Sequence, residues 1–228
     1  MGSVDLAFRD AFHCYGHFYD LFLANQKIVK CRSVLEIVRK SSNISIDSVT
    51  NLRPNAIAIM MNPGKSYPLR NTPERINLES FDINFNLKPL VATYPDYTQA
   101  RIMKLMNYKN WNHVRIINLS DIREPNSNRL GQLIKNFELV TRTKVHSIFC
   151  NERKSERDDA LSEDIVPILL AWGGKDFLEE PASQCLCIVS TREIFGVPSI
   201  ESEIHFQHPL TRRVSWYSKM IELLRNCE

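Results

Sequence analysis

Two asparagines in this sequence stand where an apolar run ends, a place where a polar side chain can meet a ligand. Asn62 opens the turn Asn62-Pro63-Gly64 directly after the apolar run 56–61, and Asn118 lies near the end of the run 114–119. Proline fixes its own φ and glycine permits a close backbone approach, so this turn can hold the Asn62 amide rigidly against a ligand. A plain strand-to-loop turn would use the same residues.

The second asparagine and a histidine near the end of the chain also have two interpretations. A buried Asn118 amide must find partners for two N–H donors and a carbonyl oxygen, so it either ties down a loop or reads a planar ligand. His208 follows His205 by three residues, but a zinc pair would need further ligands that the sequence does not supply. We expect a structural role for His205. For His208, the proline and the basic run that follow leave a structural and a functional role open.

Basic residues that could contact phosphate lie close to His208. Arg212 and Arg213 follow directly after the segment 208–211, and Lys219 and Arg225 come later. A solvated helix face explains such a cluster as well as phosphate contact does. The whole chain of 228 residues has 29 Lys and Arg against 26 Asp and Glu, and a formal charge of +3 does not by itself indicate a nucleic-acid-binding protein.

Several common catalytic patterns do not occur in the sequence. It has no glycine-rich P-loop ending in Gly-Lys-Ser/Thr, no Gly-x-Gly-x-x-Gly, no Gly-x-Ser-x-Gly and no His-Glu-x-x-His. These absences argue against P-loop phosphoryl transfer, dinucleotide redox chemistry and esterase chemistry. The six cysteines include no Cys-x-x-Cys pair, so we expect reduced structural thiols, no metal and no cofactor, with an iron-sulfur cluster as the alternative.

Strand and helix patterns alternate along the part of the chain that holds these residues. Apolar runs predict strands over 56–61, 114–119 and 165–172, and a fourth strand over either 184–189 or 193–197. Helices are predicted over 97–109, capped by Asp96 or Thr98, and over 129–140, 152–164 and 212–225. The alternation predicts an α/β fold of three layers, α/β/α, around a central, mostly parallel four-stranded sheet. Ligands bind beyond the carboxyl ends of such strands, near Asn62, Asn118 and the segment 172–174.

We predict a single domain over residues 1–228, in which residues 1–53 form a helical extension packed on a core of residues 54–228. Aromatic residues recur at helical spacing over 5–24, whereas 34–39 suits an outer strand or a short helix. Residues 65–95 contain four prolines and predict a long loop region of the kind that usually serves a site. No apolar stretch approaches the roughly 20 residues that span a bilayer, so we expect a soluble, cytoplasmic protein without a membrane partner.

Five segments in order resemble the domain-of-unknown-function family 1643 over residues 54–210. They are Met60-Met-Asn-Pro-Gly64, Asp96-Tyr-Thr-Gln-Ala-Arg101, residues 114–119, Ala171-Trp-Gly173 and His208-Pro-Leu210. A more distant resemblance is to the uracil-DNA glycosylase superfamily, which has an Asp-Pro or Asn-Pro-Gly turn, an apolar strand ending in Leu-Leu-Asn, a run ending in Trp-Gly and a final His-Pro segment. Here the counterparts are Asn62-Pro-Gly64, Ile116-Ile-Asn118, Leu169-Leu-Ala-Trp-Gly173 and His208-Pro-Leu210. This resemblance implies a uracil-DNA glycosylase-like fold.

The same resemblance implies roles for individual residues in a pocket that needs no metal. Asn62 would hold the attacking water, His208 would stabilise negative charge on the leaving base, and Asn118 would bond the polar edge of a flipped pyrimidine. Gly64 stands where strict uracil enzymes carry a tyrosine that excludes the methyl group of thymine, which implies a roomier pocket. Tyr67 or Tyr94 would stack on the base. The residues that would contact the nucleic-acid backbone, or fill the space left by the extruded base, are Lys65, Arg101, Leu210, Arg212 and Arg213.

Three functional hypotheses follow. The first is a DNA glycosylase that releases a uracil-like or 5-modified pyrimidine by hydrolysing its N-glycosidic bond. The second is a non-catalytic module that binds a nucleotide or modified base, which the mild basic charge and an asparagine in place of the stronger aspartate favour. The third is a hydrolase or transferase of a free nucleotide. DNA or a nucleotide is therefore the predicted partner, while the base, the strand preference and the oligomeric state are not specified by the sequence.

Overall fold

The described residues form an eight-stranded mixed β-sheet flanked by helices, so the predicted α/β class is present. The computed structural model describes residues 9–24, 26–70, 73–82, 88–162, 165–200, 202–211 and 215–226. The expectation of a four-stranded sheet is wrong, because four further strands extend it on one side. Those strands come from the first 39 residues and from the region 65–95, which the sequence predicts as helical extension and as loop.

The strands have the following bounds in chain order: β1 Phe12–Phe22, β2 Ile28–Arg39, β3 Ala56–Met60, β4 Glu74–Asn77, β5 Val91–Ala92, β6 His113–Asn118, β7 Ile168–Ala171 and β8 Ile194–Gly196. They lie in the order β4-β1-β2-β6-β3-β7-β8, and β5 pairs with β1. Strands β6, β3, β7 and β8 are parallel to one another. Strand β2 joins this parallel half to the rest of the sheet by running antiparallel to both β6 and β1.

The parallel half of the sheet matches the sequence prediction closely. Every residue of β3, β6 and β7 is buried, as expected for strands that are covered on both faces and therefore read as continuous apolar runs. Of the two alternatives for the fourth strand, 193–197 contains β8. The other alternative, 184–189, is wrong, because those residues belong to a helix.

In the described parts of the chain, five α-helices flank the sheet: α1 Tyr97–Lys109, α2 Ser127–Thr141, α3 Lys154–Leu161, α4 Glu179–Val189 and α5 Trp216–Leu223. Helix α1 begins at a capping box, in which Asp96 accepts the Gln99 N–H at 3.0 Å and Gln99 accepts the Asp96 N–H at 2.9 Å. This selects Asp96 over Thr98 as the cap. Within the described residues, no helix combines the length and apolar character needed to cross a membrane.

The prediction of a helical N-terminal extension is wrong for the part of it that the structure describes. Residues 12–22 and 28–39 form the antiparallel pair β1 and β2, and 34–39 lies in an inner strand between β1 and β6. Cys14 packs in the core layer that includes α1, whereas Tyr19 and Leu21 pack in the layer that includes α2. Because apolar residues cover both faces of β1, the two-residue alternation of a half-buried strand is lost and the aromatic spacing imitates a helix.

Helices pack on both faces of the sheet. On one face, Ile102 and Met106 of α1 and Met220 of α5 join Ala58 and Ile116 in one apolar core. On the other face, a second core joins Ile57, Ile59 and Ile117 to residues of α3 and α4. The strands are thereby fixed on both sides, and their carboxyl ends become a rigid platform for the turns that follow.

Candidate functional site

A cavity of about 470 Å³ lies at the carboxyl ends of the central parallel strands β3 and β6. We call it the strand-end cavity. Its lining comes from these two strands and β2, from the turn after β3, from the first turns of α1 and α2, and from the segment after β8. The residues that line it include Arg32, Met60, Asn62, Gly64, Lys65, Asp96, Tyr97, Ile116, Ser127, His208 and Leu210.

The side chain of Asn62 is held in one orientation at this cavity. Its Nδ2 donates to the backbone carbonyls of Ile122 at 2.9 Å and Glu124 at 2.7 Å. Two carbonyl oxygens can only face the amide nitrogen, so the assignment of the amide follows from chemistry. With both hydrogens committed, Asn62 has only its Oδ1, an acceptor, to offer a ligand or a water.

The turn that carries Asn62 needs its glycine. Gly64 has φ +60°, a left-handed conformation in which side chains are strained. A Cβ added there would meet no atom within 4 Å, so the space beside Gly64 is open. The roomier pocket that the resemblance implies at this position stays a prediction.

His208 reaches the cavity because the segment before it crosses the end of β7. The Gly173 N–H donates to the Phe206 carbonyl at 2.7 Å. Gly173 has φ +85°, and a Cβ added to it would lie 3.7 Å from the Cβ of His208. The Trp-Gly and His-Pro segments, which are distant in sequence, thus meet at one end of the sheet.

The protonation state of His208 is set by burial and by one hydrogen bond. Burial lowers the pKa of His208, an effect that the nearby Asp96 carboxylate only partly opposes. The backbone N–H of Leu210 donates to its Nδ1 at 3.2 Å. In the neutral ring Nε2 therefore carries the hydrogen, and His208 is an uncharged hydrogen-bond donor at neutral pH.

Asn118 is buried beside the cavity and does not line it. It is 0% exposed, its backbone pairs with Met60, and it lies on the strand face of Ile116, two residues earlier. Neither its Oδ1 nor its Nδ2 has a hydrogen-bond partner. The loop-tying role that the sequence left open is therefore not filled by Asn118; Asn62 performs that role instead.

Arg32 lines the cavity and was not identified from the sequence. The pairing of β1 with β2 shifts between His17 and Phe18, so that Ser33 is an extra residue opposite the shift. Ser33 bonds His17 on one face of the sheet, while Arg32 reaches the cavity on the other face. Such a bulge changes the face of the sheet to which a side chain points. The alternation of inward and outward residues in a sequence does not reveal a bulge. The available signal was an arginine in the stretch 28–38, which is rich in Ile, Val and Leu but also holds Lys30 and Glu36.

Of the other predicted site residues, only some line the strand-end cavity. Lys65 and Leu210 line the cavity, with Lys65 exposed. Tyr67 and Tyr94 are exposed and do not line it; Tyr94 borders a separate cavity of about 360 Å³ near His13. Arg101 is partly buried on α1 and does not line it either, and Arg212 and Arg213 lie outside the described residues.

Tyr97, the first residue of α1, is an aromatic residue that the structure brings to the cavity. Its ring is exposed, so it stands at the mouth of the cavity. The sequence signal for Tyr97 was its position directly after the helix cap Asp96, where a side chain borders whatever the helix N-terminus faces.

The electrostatic character of the cavity is mainly positive. Arg32 and Lys65 contribute cationic groups, and the first turns of α1 and α2 contribute the positive ends of two helix dipoles. The acidic side chain among the described lining residues is Asp96, and its carboxylate accepts the Gln99 N–H within the capping box. The site favours a ligand that carries or develops negative charge.

Three buried cysteines are poor candidates for a nucleophile. Burial raises the pKa of Cys150 to about 11, and burial also raises the pKa values of Cys31 and Cys185. These thiols therefore stay protonated at neutral pH, whereas a reactive cysteine needs its thiolate form. Over the described parts of the chain, no group of three or more His, Cys, Asp or Glu side chains is arranged to hold a metal ion.

No protein-family model, curated protein or solved structure matches this chain. We therefore infer function from the strand-end cavity. The cavity presents the acceptor oxygen of Asn62, the neutral donor of His208 and the Arg32 side chain, whose Nε and Nη1 have no hydrogen-bond partner. The unpartnered amide of Asn118 is buried beside it.

Proposed function

We propose that the protein is a DNA glycosylase-like hydrolase that releases a uracil-like or 5-modified pyrimidine. The observation that carries this proposal is the meeting of Asn62 and His208 at one cavity with their hydrogen-bonding roles already defined. Hydrolysis of an N-glycosidic bond needs an acceptor that holds water and a donor that stabilises the leaving base. Asn62 Oδ1 is such an acceptor, and Nε2–H of His208 is such a donor.

The reaction would proceed with these two groups on opposite sides of the bond that breaks. Water held by Asn62 Oδ1 forms a bond from its oxygen to the anomeric carbon, and a water proton passes to solvent. The carbon–nitrogen bond breaks, and its electron pair stays on the base. The Nε2–H of His208 hydrogen-bonds the base oxygen on which the negative charge accumulates, and removing one such donor costs about 10²–10³-fold in rate.

Asn118 would recognise the base in this proposal. An amide offers one acceptor and two donors, which complements the adjacent N–H and C=O of a uracil-like edge. Its two polar atoms are buried without partners next to Met60 and Ile116, both of which line the cavity. A buried amide left in this state costs about 1–3 kcal/mol, and a base that pairs with it would recover that energy.

We infer a three-layer core of the uracil-DNA glycosylase type, formed by β6, β3, β7 and β8 with the helices on their two faces, and membership of the family of unknown function that the ordered motifs resemble. In this arrangement Lys65 and Tyr97 stand at the mouth of the cavity, where a DNA strand would pass. Tyr97 takes the stacking role that the resemblance implies for Tyr67 or Tyr94.

The test is base release from DNA oligonucleotides that contain uracil, mismatched thymine or a 5-modified pyrimidine. The wild type is compared with Asn62→Ala, His208→Ala and Asn118→Ala. Asn112→Ala is the matched control, because Asn112 is exposed and precedes β6 at the end opposite to Asn118. We expect release by the wild type and the control and a loss of about 10²-fold or more in His208→Ala. Full activity in Asn62→Ala would overturn the mechanism.

A non-catalytic nucleotide-binding module is the second candidate. The observation that favours it is the tether from Asn62 to the Ile122 and Glu124 carbonyls, since a loop anchor needs no catalytic role. Tight nucleoside binding without base release from any oligonucleotide would select this candidate. Turnover of a free nucleotide that excess DNA does not inhibit would select the hydrolase or transferase of free nucleotides.

A further inference from the structure

Arg32 is a buried cation whose hydrogen-bonding groups are not satisfied by the protein. It is 2% exposed, and neither its Nε nor its Nη1 has a hydrogen-bond partner. Burial lowers the pKa of Arg32 to about 10, and the Asp96 and Asp121 charges oppose that effect, so the guanidinium stays charged at neutral pH. Leaving a buried charge without partners is strongly unfavourable, and folds normally avoid it.

Two other deeply buried arginines of this protein are satisfied. Arg115 donates its Nε to Glu36 at 2.8 Å and its terminal nitrogens to backbone carbonyls. Arg153 forms a two-bond contact with Glu156, at 2.6 and 2.7 Å, and bonds Asp121 at 2.7 Å. The fold thus pairs a buried guanidinium where the role is structural, and Arg32 is handled differently.

The position of Arg32 in the cavity is built into the sheet. The bulge at Ser33 turns Arg32 to the cavity face, and Gly16 on the neighbouring strand leaves room for its stem. A Cβ added to Gly16 would lie 3.4 Å from Cδ of Arg32 and 2.8 Å from the ring of Phe18. The side chain is therefore held in place by backbone geometry, as a preorganised binding group requires.

We propose that Arg32 and the first turn of α1 form an anion subsite inside the strand-end cavity, which binds a carboxylate or phosphate carried by the ligand itself. Both elements line the same cavity, and two N–H groups of a guanidinium match the two oxygens of such an anion. The phosphates of a DNA strand stay on its backbone outside a base pocket, whereas Arg32 is deeply buried. The substrate class is therefore a pyrimidine with an acidic substituent or a nucleotide with a terminal phosphate.

This inference rests on the proposed function only in taking the ligand to be a nucleobase derivative, and binding measurements test it without any turnover. The probes are inorganic phosphate, uridine, uridine 5′-monophosphate and 5-carboxyuridine. Dissociation constants are measured by calorimetry for the wild type, Arg32→Met, Arg32→Lys and Arg129→Met. Arg129 is the matched control, because it is 73% exposed at its side chain on α2 and its replacement changes the net charge equally.

In the wild type we expect at least one anionic nucleoside to bind about tenfold or more tightly than uridine, the gain typical of hydrogen bonds to a charged group. Arg32→Met abolishes that gain, Arg32→Lys retains part of it because lysine keeps the charge and loses the planar fork, and Arg129→Met retains it fully. Tighter binding than uridine by the 5′-monophosphate alone assigns the anion to a nucleotide phosphate. A gain for 5-carboxyuridine alone assigns it to a base substituent.

A stability measurement keeps the inference testable without ligand. Arg32→Met removes a buried charge that has no ion-pair partner. We therefore expect the Tm of Arg32→Met without ligand to equal or exceed that of the wild type, and also to exceed the Tm of Arg32→Lys. If uridine binds and neither anionic nucleoside binds more tightly than uridine, the anion subsite is wrong while base binding stands. The same holds if the tighter binding of an anionic nucleoside survives in Arg32→Met. If no nucleoside binds but inorganic phosphate binds in an Arg32-dependent manner, base binding fails and the subsite stands. If neither phosphate nor any nucleoside binds, both fail.

Discussion

The backbone N–H of Leu210 donates to Nδ1 of His208, at 3.2 Å, within the turn that follows the His-Pro pair. A protonated imidazole would carry hydrogen on Nδ1 and would lose this bond. Burial independently lowers the pKa of His208. Backbone and burial therefore favour the same neutral tautomer, with Nε2–H as the donor.

The first prediction is a pH profile for base release. We expect the rate to be constant from about pH 8 to the ordinary histidine pKa of 6.5, since the pKa of His208 is lowered. We expect it to fall below that pH, because protonation of Nδ1 breaks the Leu210 bond that orients the ring. His208→Gln retains an amide donor, and its slower reaction should lack this acid limb. A midpoint above pH 6.5 in the wild type would contradict the assignment of the limb to His208.

The second prediction concerns the identity of residue 62. Asn62→Ala removes two hydrogen bonds to the carbonyls of Ile122 and Glu124, and we expect it to destabilise the fold by about 1–3 kcal/mol. Asn62→Asp should be worse, because its carboxylate would face the same two carbonyl oxygens without a hydrogen to donate. Denaturant unfolding measures both effects. An Asn62→Asp variant as stable as the wild type would show that the tether is unimportant.

The third prediction concerns the width of the cavity at Gly64. Gly64→Ala meets no atom, so its cost is the left-handed backbone alone, about 1–2 kcal/mol. Gly64→Tyr adds bulk in the open space, and we expect it to reduce release of a 5-substituted pyrimidine more than release of uracil. Comparison with Gly64→Ala separates bulk from backbone strain. Equal losses for both substrates would place residue 64 away from the 5-position of the base.

The fourth prediction is that a buried charge network holds the face of the sheet opposite the strand-end cavity. Arg153 bonds both Asp121 and Glu156, and Lys88 bonds Glu156 at 2.6 Å. Arg153→Met would leave two buried carboxylates with fewer partners, and we expect a loss of about 3–5 kcal/mol in unfolding free energy.

Lys154→Met is the control for that network. Lys154 follows Arg153 directly and pairs with Asp158 at 2.9 Å, but its side chain is 74% exposed. Exposed pairs of this kind contribute roughly 0–1 kcal/mol. Denaturant unfolding measures both variants. Equal losses of unfolding free energy in Arg153→Met and Lys154→Met would show that burial of the network adds no stability.

The fifth prediction is an acid destabilisation in two stages. Burial lowers the pKa values of His17 and His208, so the unfolded chain binds more protons and stability falls as the pH drops below 6.5. Burial opposes ionisation of Glu156, but Arg153 and Lys88 outweigh it and lower its pKa to about 2. That stability is present above the ordinary value of 4.5 and is lost as the pH falls from there toward 2.

Denaturant unfolding at a series of pH values checks both stages. His17→Gln should reduce the upper stage, between the ordinary histidine pKa of 6.5 and the lowered values of the folded protein. Its effect on the carboxylate stage should come from Glu74, because the hydrogen bond to His17 lowers the pKa of Glu74. A stability that is constant from pH 7 to 5 would contradict the lowered histidine pKa values.

The sequence by itself determined the parallel half of the sheet and the turns at its carboxyl ends. Strands β3, β6 and β7 are covered on both faces, so they appear as short continuous apolar runs. The cap at Asp96 and the turn at Asn62 are local features, because their hydrogen bonds and φ angles depend on neighbouring residues. For that reason the sequence alone was enough to place Asn62 in a turn at the carboxyl end of a buried strand.

Only the tertiary structure decided what lies outside those local patterns. The aromatic spacing of β1 suggested a helix, because whether both faces are covered depends on distant elements such as α1 and α2. The bulge at Ser33 sends Arg32 into the cavity, and the Ile122 and Glu124 carbonyls leave Asn62 with one acceptor. A sequence specifies which groups are present, but long-range packing decides which of them are paired by the fold and which are left for a ligand.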